Sequence, residues 1–240
     1  MHVLVTSTSP RAVGERREAL ERRIRWIVAV TIGYNLVEAV VAISAGTVAS
    51  SAALIGFGLD STIEVLSAAA VAWQFTRPDP ERWEKGTLRA IAVAFFALAA
   101  YVTSSSTLAL VTQAEVEHSR VGIVITALSV VIMPFLSFAE RRAGRELGSA
   151  TAVADSKQTL ICTYLSAAVL IGLVTNSLLG WWWADAVAGL VIAAFAIREG
   201  IEAWRGDACA TSVGMLLEDE HGHDEHGHDE HSHDEHGHQR

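Results

Sequence analysis

Cysteine is scarce in this sequence, and so are the patterns on which catalytic sites usually depend. The two cysteines, Cys162 and Cys209, are too few for a disulfide framework, and they do not identify the redox compartment. There is no nucleophile-base arrangement and no phosphate-binding loop, which argues against an enzyme. The amino terminus also lacks the pattern of a cleavable signal peptide, because its apolar stretch begins only near Ile24 and continues for about 20 residues. We therefore expect a first spanning helix that is retained.

An acidic surface is also less pronounced than the net charge suggests. The formal net charge is −9 with histidine counted as neutral, but nine carboxylates lie within residues 218–240, where Arg240 is the only lysine or arginine. The rest of the chain is close to neutral, so its charge identifies no class of partner. We expect no nucleic-acid partner.

Apolar segments are abundant. Hydrophobic residues make up 51% of the chain, and the mean hydropathy is positive, which is typical of membrane proteins. Six segments approach the ~20 residues that cross a bilayer, and they cover residues 24–45, 51–75, 88–112, 121–139, 150–175 and 181–203. The predicted fold is an all-α membrane protein, a six-transmembrane-helix bundle. We expect residues 1–23 to form a leader, residues 24–205 a six-helix membrane domain, and residues 206–240 a tail.

The basic residues are distributed unevenly among the connections. The leader and the second and fourth connections are basic, whereas the first and fifth contain no lysine or arginine and the third contains only Arg120. By the positive-inside rule, both termini are expected in the cytoplasm. We expect an integral, multi-pass protein of the plasma (cell) membrane.

Two carboxylates lie near the middle of the second segment. Asp60 and Glu64 are four residues apart, so a helix places them one turn apart on the same face. An ionised carboxylate at the centre of a bilayer costs ~2.5 kcal/mol or more, and two like charges repel each other. A divalent cation held between helices would offset both costs. The alternative is a proton-sharing pair that only joins helices.

The fifth segment carries a polar stripe formed by Asp155, Gln158, Cys162 and Ser166. Gln158 offers a carbonyl oxygen, and Cys162 offers a thiolate that favours zinc-like ions over magnesium or calcium. The alternative is that Cys162 is a small buried hydrophobic residue, as free cysteines usually are.

Two further acidic residues have open roles. Glu38, three residues after Asn35 in the first segment, is either an accessory ligand or proton carrier, or a hydrogen-bonding partner of the second helix. Asp185 either guards an outer mouth or stabilises the start of its own helix.

Residues 24–205 resemble the cation diffusion facilitator family of divalent-metal transporters. The resemblance is carried by AGTVASSAALIGFGLDSTIE at 45–64, by ADSKQTLICTYLSAAVLIG at 154–172 and by WWWAD ending at Asp185. It implies that Asp60 and Glu64 occupy the ligand positions of the second helix. In the fifth helix, Gln158 stands where the family has histidine and Cys162 where it has aspartate, and Asp155 is the alternative ligand. The chain resembles a short six-helix form without the family's C-terminal cytoplasmic domain, and whether it forms a homodimer is left open.

From Asp219 the tail repeats DEHGH at a period of five residues, with Ser232 in place of one glycine. This repeat has no apolar residue to bury and should be disordered when free. Imidazole is a common ligand of zinc, copper and nickel, so we expect the tail to bind metal, with a merely solubilising acidic run as the alternative. Its histidines are His221, His223, His226, His228, His231, His233, His236 and His238.

These patterns together predict a divalent transition-metal efflux transporter. Zinc is the expected ion, protons are the expected counter-substrate, and no prosthetic group is expected. The competing hypothesis is a non-transporting membrane metal-binding or regulatory protein that acts through its histidine-rich tail.

Overall fold

The computed structural model describes residues 10–75, 80–114, 116–147 and 150–205. Over these residues it contains six helices and no strand, which confirms the predicted all-α bundle. The helices are α1 (Pro10–Ala49), α2 (Ala52–Phe75), α3 (Pro80–Thr112), α4 (Arg120–Leu147), α5 (Ala150–Leu179) and α6 (Trp183–Arg205).

Several helices extend beyond the apolar segments. α1 begins at Pro10, so much of the predicted leader continues into the first span without a break. Five helices are long and apolar enough to cross a membrane, and α6 is not among them. Charged residues near both ends of α6, from Asp185 to Arg205, reduce its apolar length, but its inner face is packed into the bundle.

α2 is the central helix. In its spanning part 56% of residues are buried, against 33% in each of α1, α3 and α4. Phe57 on α2 packs with Leu165 and Val169 on α5 and with Ile192 on α6. On another side, Ile63 joins a cluster with Phe95 and other residues of α3 and α6. The carboxylates of α2 are therefore inside the bundle.

A glycine brings α1 close to α2. A Cβ atom on Gly58 would lie only 2.9 Å from the backbone nitrogen of Ile43 and 3.1 Å from the carbonyl oxygen of Ala39. Small residues allow helix backbones to approach closely in a bilayer. This approach, two residues before Asp60, brings the polar residues of α1 to the carboxylates of α2.

The connections after α1, α3 and α5 meet at one end of the bundle. Each contains a residue with positive φ: Ser50 after α1, Gln113 after α3 and Gly180 after α5. The backbone nitrogen of Glu117 donates to the carbonyl oxygen of Ala49 at 3.0 Å. Asn176 Nδ2 donates to the carbonyl oxygen of Val116 at 2.9 Å. These bonds connect the three connections, and we call this end of the molecule the connection end.

Candidate metal centre

The bundle brings three potential ligands together from two helices. Asp60 and Glu64 project from one face of α2, and Cys162 projects from α5. One ligand atom from each lies within 4.8 Å of the others. Asp60 and Cys162 are buried, at 7% and 6% exposure, and Glu64 is partly buried.

The spacing of these atoms suits a small divalent cation. Zinc binds oxygen and sulfur ligands at ~2.0–2.3 Å, which puts the ligand atoms of a tetrahedral site roughly 3–4 Å apart. A spread of at most 4.8 Å therefore needs only small side-chain movements. The cation would also offset the repulsion between two neighbouring carboxylates.

Glu64 is held by hydrogen bonds from both sides. Cys162 Sγ donates to its Oε1 at 2.5 Å, and Asn35 Nδ2 from α1 donates to its Oε2 at 2.8 Å. The thiol proton thus lies between two of the three potential ligands, where an ion would have to displace it.

Asp60 has a different environment. Within the described part of the chain, no hydrogen bond to its carboxylate is found, and the acidic groups that interact with its charge include Glu64, Glu199 and Glu38. A buried carboxylate surrounded by like charge is stable only with a proton or a cation.

Glu38 lies outside this group of three. It is 1% exposed. Ser61 Oγ on α2 donates to its Oε2 at 2.8 Å, and Ser129 Oγ on α4 donates to its Oε1. Tyr34 on α1 extends the network by a 2.7 Å hydrogen bond to Ser129. This geometry favours the second alternative for Glu38, a residue that joins helices by hydrogen bonds.

The other predicted ligands are not tested by the geometry. Asp155 and Gln158 lie on α5, Gln158 about one turn before Cys162, but their side chains are outside the described residues. The eight tail histidines also lie outside the described residues. The choice between Asp155 and Gln158 stays a prediction.

Asp185 caps the start of α2, a helix other than its own, which neither sequence alternative predicted. Although it lies in the first turn of α6, it accepts a hydrogen bond from Ser51 Oγ at 2.5 Å and one from the backbone nitrogen of Ala53 at 3.4 Å. Ser51 in turn accepts from the backbone nitrogen of Leu54 at 3.0 Å. Ser51 and Asp185 together cap the amino terminus of α2.

Two buried polar residues in this part of the bundle are not apparent from the sequence alone. The sequence shows Asn35 only as a residue three positions before Glu38, and its contact with Glu64 requires the pairing of α1 with α2. Glu140 on α4 is 2% exposed and accepts a 3.1 Å hydrogen bond from Thr159 on α5. Its neighbours Arg141 and Arg142 suggested a basic connection, whereas α4 continues to Leu147.

The fold and the buried acidic group define a class, an integral multi-pass membrane protein with a candidate cation site inside its helix bundle. The family model described as the cation efflux transmembrane domain matches residues 27–205. The chain belongs to this cation efflux family, which confirms the resemblance to the cation diffusion facilitators. It is a family of transporters and not of enzymes.

One curated relative shows how far the similarity extends. The chain is 27% identical over 157 residues to a protein named cation-efflux pump FieF from Shewanella oneidensis. The match covers 62% of this chain and 52% of that relative. The chain thus spans about half the length of the curated relative it matches.

Proposed function

We propose that this protein exports a divalent transition-metal cation from the cytoplasm and that zinc is its main substrate. The observation that carries the proposal is the buried group of Asp60, Glu64 and Cys162 between α2 and α5. Family membership and the name of the relative support metal efflux. The thiol supports zinc, because soft sulfur ligands favour zinc over magnesium and calcium.

The coupling ion in this proposal is the proton. Metal ligands must lose their protons to bind, and the thiol proton of Cys162 is held against Glu64. Metal that enters the site displaces this proton, and a proton that returns from the other side of the membrane displaces the metal. An inward proton gradient then drives the metal outward.

The transport cycle we propose is alternating access around a fixed site. Asp60 and Glu64 lie near the middle of α2, the depth at which transporters commonly bind their substrates. Movement of α2 and α5 relative to the neighbouring helices would expose the site to each side in turn. The residue on α5 that adds to Cys162 is Asp155 or Gln158 in this proposal.

The division of the chain also belongs to the proposal. Residues 24–205 transport the ion, the leader at 1–23 and the tail at 206–240 lie in the cytoplasm, and the protein resides in the plasma membrane. The tail histidines collect metal weakly near the cytoplasmic access of the site.

In sealed cells, a membrane-impermeant protease added outside should leave an epitope attached to the tail intact, and cleavage would contradict this orientation.

The proposal is tested by zinc flux in proteoliposomes with and without a pH gradient. The wild-type chain should carry zinc faster when the pH gradient drives protons in the direction opposite to the zinc movement. Asp60→Asn should reduce the zinc flux to the leak of protein-free vesicles. Thr31→Val is a matched control, because Thr31 is buried on α1 but bonds only to the carbonyl oxygen of Ile27. Full flux by Asp60→Asn would contradict the assigned site.

The same vesicles test the regulatory alternative, which the eight tail histidines favour. Deleting residues 218–240 should lower the apparent metal affinity and leave the maximal rate unchanged. If the deletion abolished every metal effect while Asp60→Asn had none, the tail would be the active part and the protein would not be a transporter.

A further inference from the structure

We propose that α1 completes the metal site, with the side-chain oxygen of Asn35 as a ligand. This inference rests on the proposed function, because it concerns the same ion. It places the fourth ligand on a third helix, and Asp155 or Gln158 of α5 becomes the alternative for that position. The sequence had offered only Glu38 of this helix as an accessory ligand.

The first step is the burial and orientation of Asn35. The residue is 6% exposed, and its Nδ2 donates to Glu64 Oε2 at 2.8 Å. Glu64 acts as an acceptor at both oxygens, since Cys162 donates to the other one. An ionised carboxylate only accepts hydrogen bonds, so the amide nitrogen of Asn35 is the atom that contacts Glu64, and the amide oxygen is left without this contact.

The second step is the state of the amide oxygen. Asn35 Oδ1 is buried and has no hydrogen-bond donor. Buried carbonyl oxygens almost always have a partner, and each exception calls for an explanation such as an ion. Oδ1 shares a carbon atom with the nitrogen that holds Glu64, so it lies beside a potential ligand.

The third step is the number and charge of ligands. Among the side chains that the structure describes, the group on α2 and α5 supplies one atom from each of three residues, whereas a protein site for zinc usually has four ligands. Two carboxylates and a thiolate already carry more negative charge than a divalent ion neutralises. A neutral amide oxygen supplies the fourth ligand without adding to this excess.

The chemical consequence concerns selectivity. Amide oxygen is a hard ligand that suits manganese as well as zinc, whereas the Cys162 thiolate favours zinc and cadmium. Asn35 should therefore matter more for manganese than for cadmium. A residue that only positioned Glu64 would lower the same ratio, because the Glu64 carboxylate is also a hard ligand. The two roles must therefore be separated by a variant that keeps the oxygen of Asn35 and loses its nitrogen.

The experiment measures binding to the purified full chain carrying Cys209→Ser, so that Cys162 is the only thiol. Cadmium binding is followed by the cadmium-thiolate absorption band, and manganese is the competitor. Chelator buffers set the free concentrations of both metals, so metal that binds to the tail histidines does not change them. Asn35→Leu should lower the manganese affinity relative to cadmium by about 10-fold or more, the scale on which groups that support metal sites act. Thr31→Val should leave the ratio unchanged.

A second variant separates the ligand from the hydrogen-bond donor. Asn35→Asp keeps an oxygen but loses the amide nitrogen, so it should retain or raise the manganese-to-cadmium affinity ratio. An unchanged ratio in Asn35→Leu would overturn the proposal. An equal fall of the ratio in Asn35→Leu and Asn35→Asp would also overturn it, because the lost group would then be the amide nitrogen that positions Glu64. If Gln158→Leu instead lowered the ratio and Asn35→Leu did not, the fourth ligand would come from α5.

Failure of this inference is distinguishable from failure of the proposed function, because binding is measured without transport. If the Cys209→Ser chain bound cadmium at Cys162 but carried no metal in vesicles, the transport proposal would be removed and the Asn35 comparison would stay valid. Absence of the cadmium-thiolate band from the Cys209→Ser chain would overturn both the assigned site and the Asn35 proposal.

Discussion

Two regions of the bundle bury aspartates in opposite ways. Asp185, at the connection end, is surrounded by donors and accepts from the Ser51 hydroxyl and the Ala53 backbone nitrogen. Asp60, near the middle of α2, is affected by the neighbouring carboxylates Glu64 and Glu199. Donors stabilise a buried charge within the protein itself, whereas neighbouring like charges require a proton or a cation from outside. The comparison separates a structural aspartate from one that suits an ion site.

The largest expected effect is that replacing the two aspartates by asparagine changes the unfolding midpoint in opposite ways. Asp185→Asn replaces an acceptor by an amide nitrogen that faces donors, which should cost about 1–3 kcal/mol. For a chain of this size each 1 kcal/mol corresponds to roughly 2–4 °C in the unfolding midpoint. Asp60→Asn removes one of several like charges, so the midpoint of the metal-free protein should stay the same or rise. Thermal unfolding in detergent with a chelator present measures both.

Asp60→Asn and Asp185→Asn form a matched pair, so a single comparison of their unfolding midpoints can contradict this prediction. Both changes are isosteric, and both positions are buried: Asp185 is 1% exposed and Asp60 is 7% exposed. If Asp60→Asn lowered the midpoint as much as Asp185→Asn, the carboxylate of Asp60 would be a structural group, and the ion site would lose its main argument.

The sequence predicts one of these regions far better than the other. The six helices and the shared face of Asp60 and Glu64 follow from apolar length and from the helical repeat, and both depend only on residues close together in the chain. The polar stripe that marks Cys162 is equally local. This explains why most of the fold and the core of the candidate site were predictable.

The contacts that the sequence did not predict join residues far apart in the chain. Asp185 and Ser51 are 134 residues apart, and Asn35 meets Glu64 only because α1 approaches α2 closely near Gly58. Glu140 follows the fourth predicted segment, which ends at residue 139, and the arginines after it indicate a connection rather than a buried position. Helical periodicity indicates which face of a helix is polar, but not which other helix that face contacts.

A smaller effect should distinguish the ions that the central region accepts. Cys162→Ser keeps the size of the side chain but replaces a soft ligand by a weak hydroxyl oxygen. We expect the affinity for zinc and cadmium to fall by about 10- to 100-fold, and that for manganese to change much less. Metal-competition flux in proteoliposomes measures the change, and Cys209→Ser is the control with the other cysteine. An equal loss for all three metals would mean that Cys162 contributes packing and not ligation.

The smallest expected effect concerns the connection end alone. Ser51→Ala removes both the bond to the Leu54 nitrogen and the bond to Asp185, and loss of such a cap typically costs about 1 kcal/mol. The unfolding midpoint should fall by a few degrees, about 2–4 °C, while metal affinity and selectivity stay unchanged. Ser44→Ala is the control, because the exposed Ser44 hydroxyl bonds only within its own helix, to the carbonyl oxygen of Val40.

The double variant of Ser51→Ala and Asp185→Asn then isolates the bond that the two residues share. Changes in contacting residues are not additive, so the double variant should lose less stability than the sum of the single variants. Additive losses would mean that the two residues act independently at the start of α2. A change in metal selectivity in either variant would show that the connection end is coupled to the ion site, and the separation between a structural and an ion-binding aspartate would no longer hold.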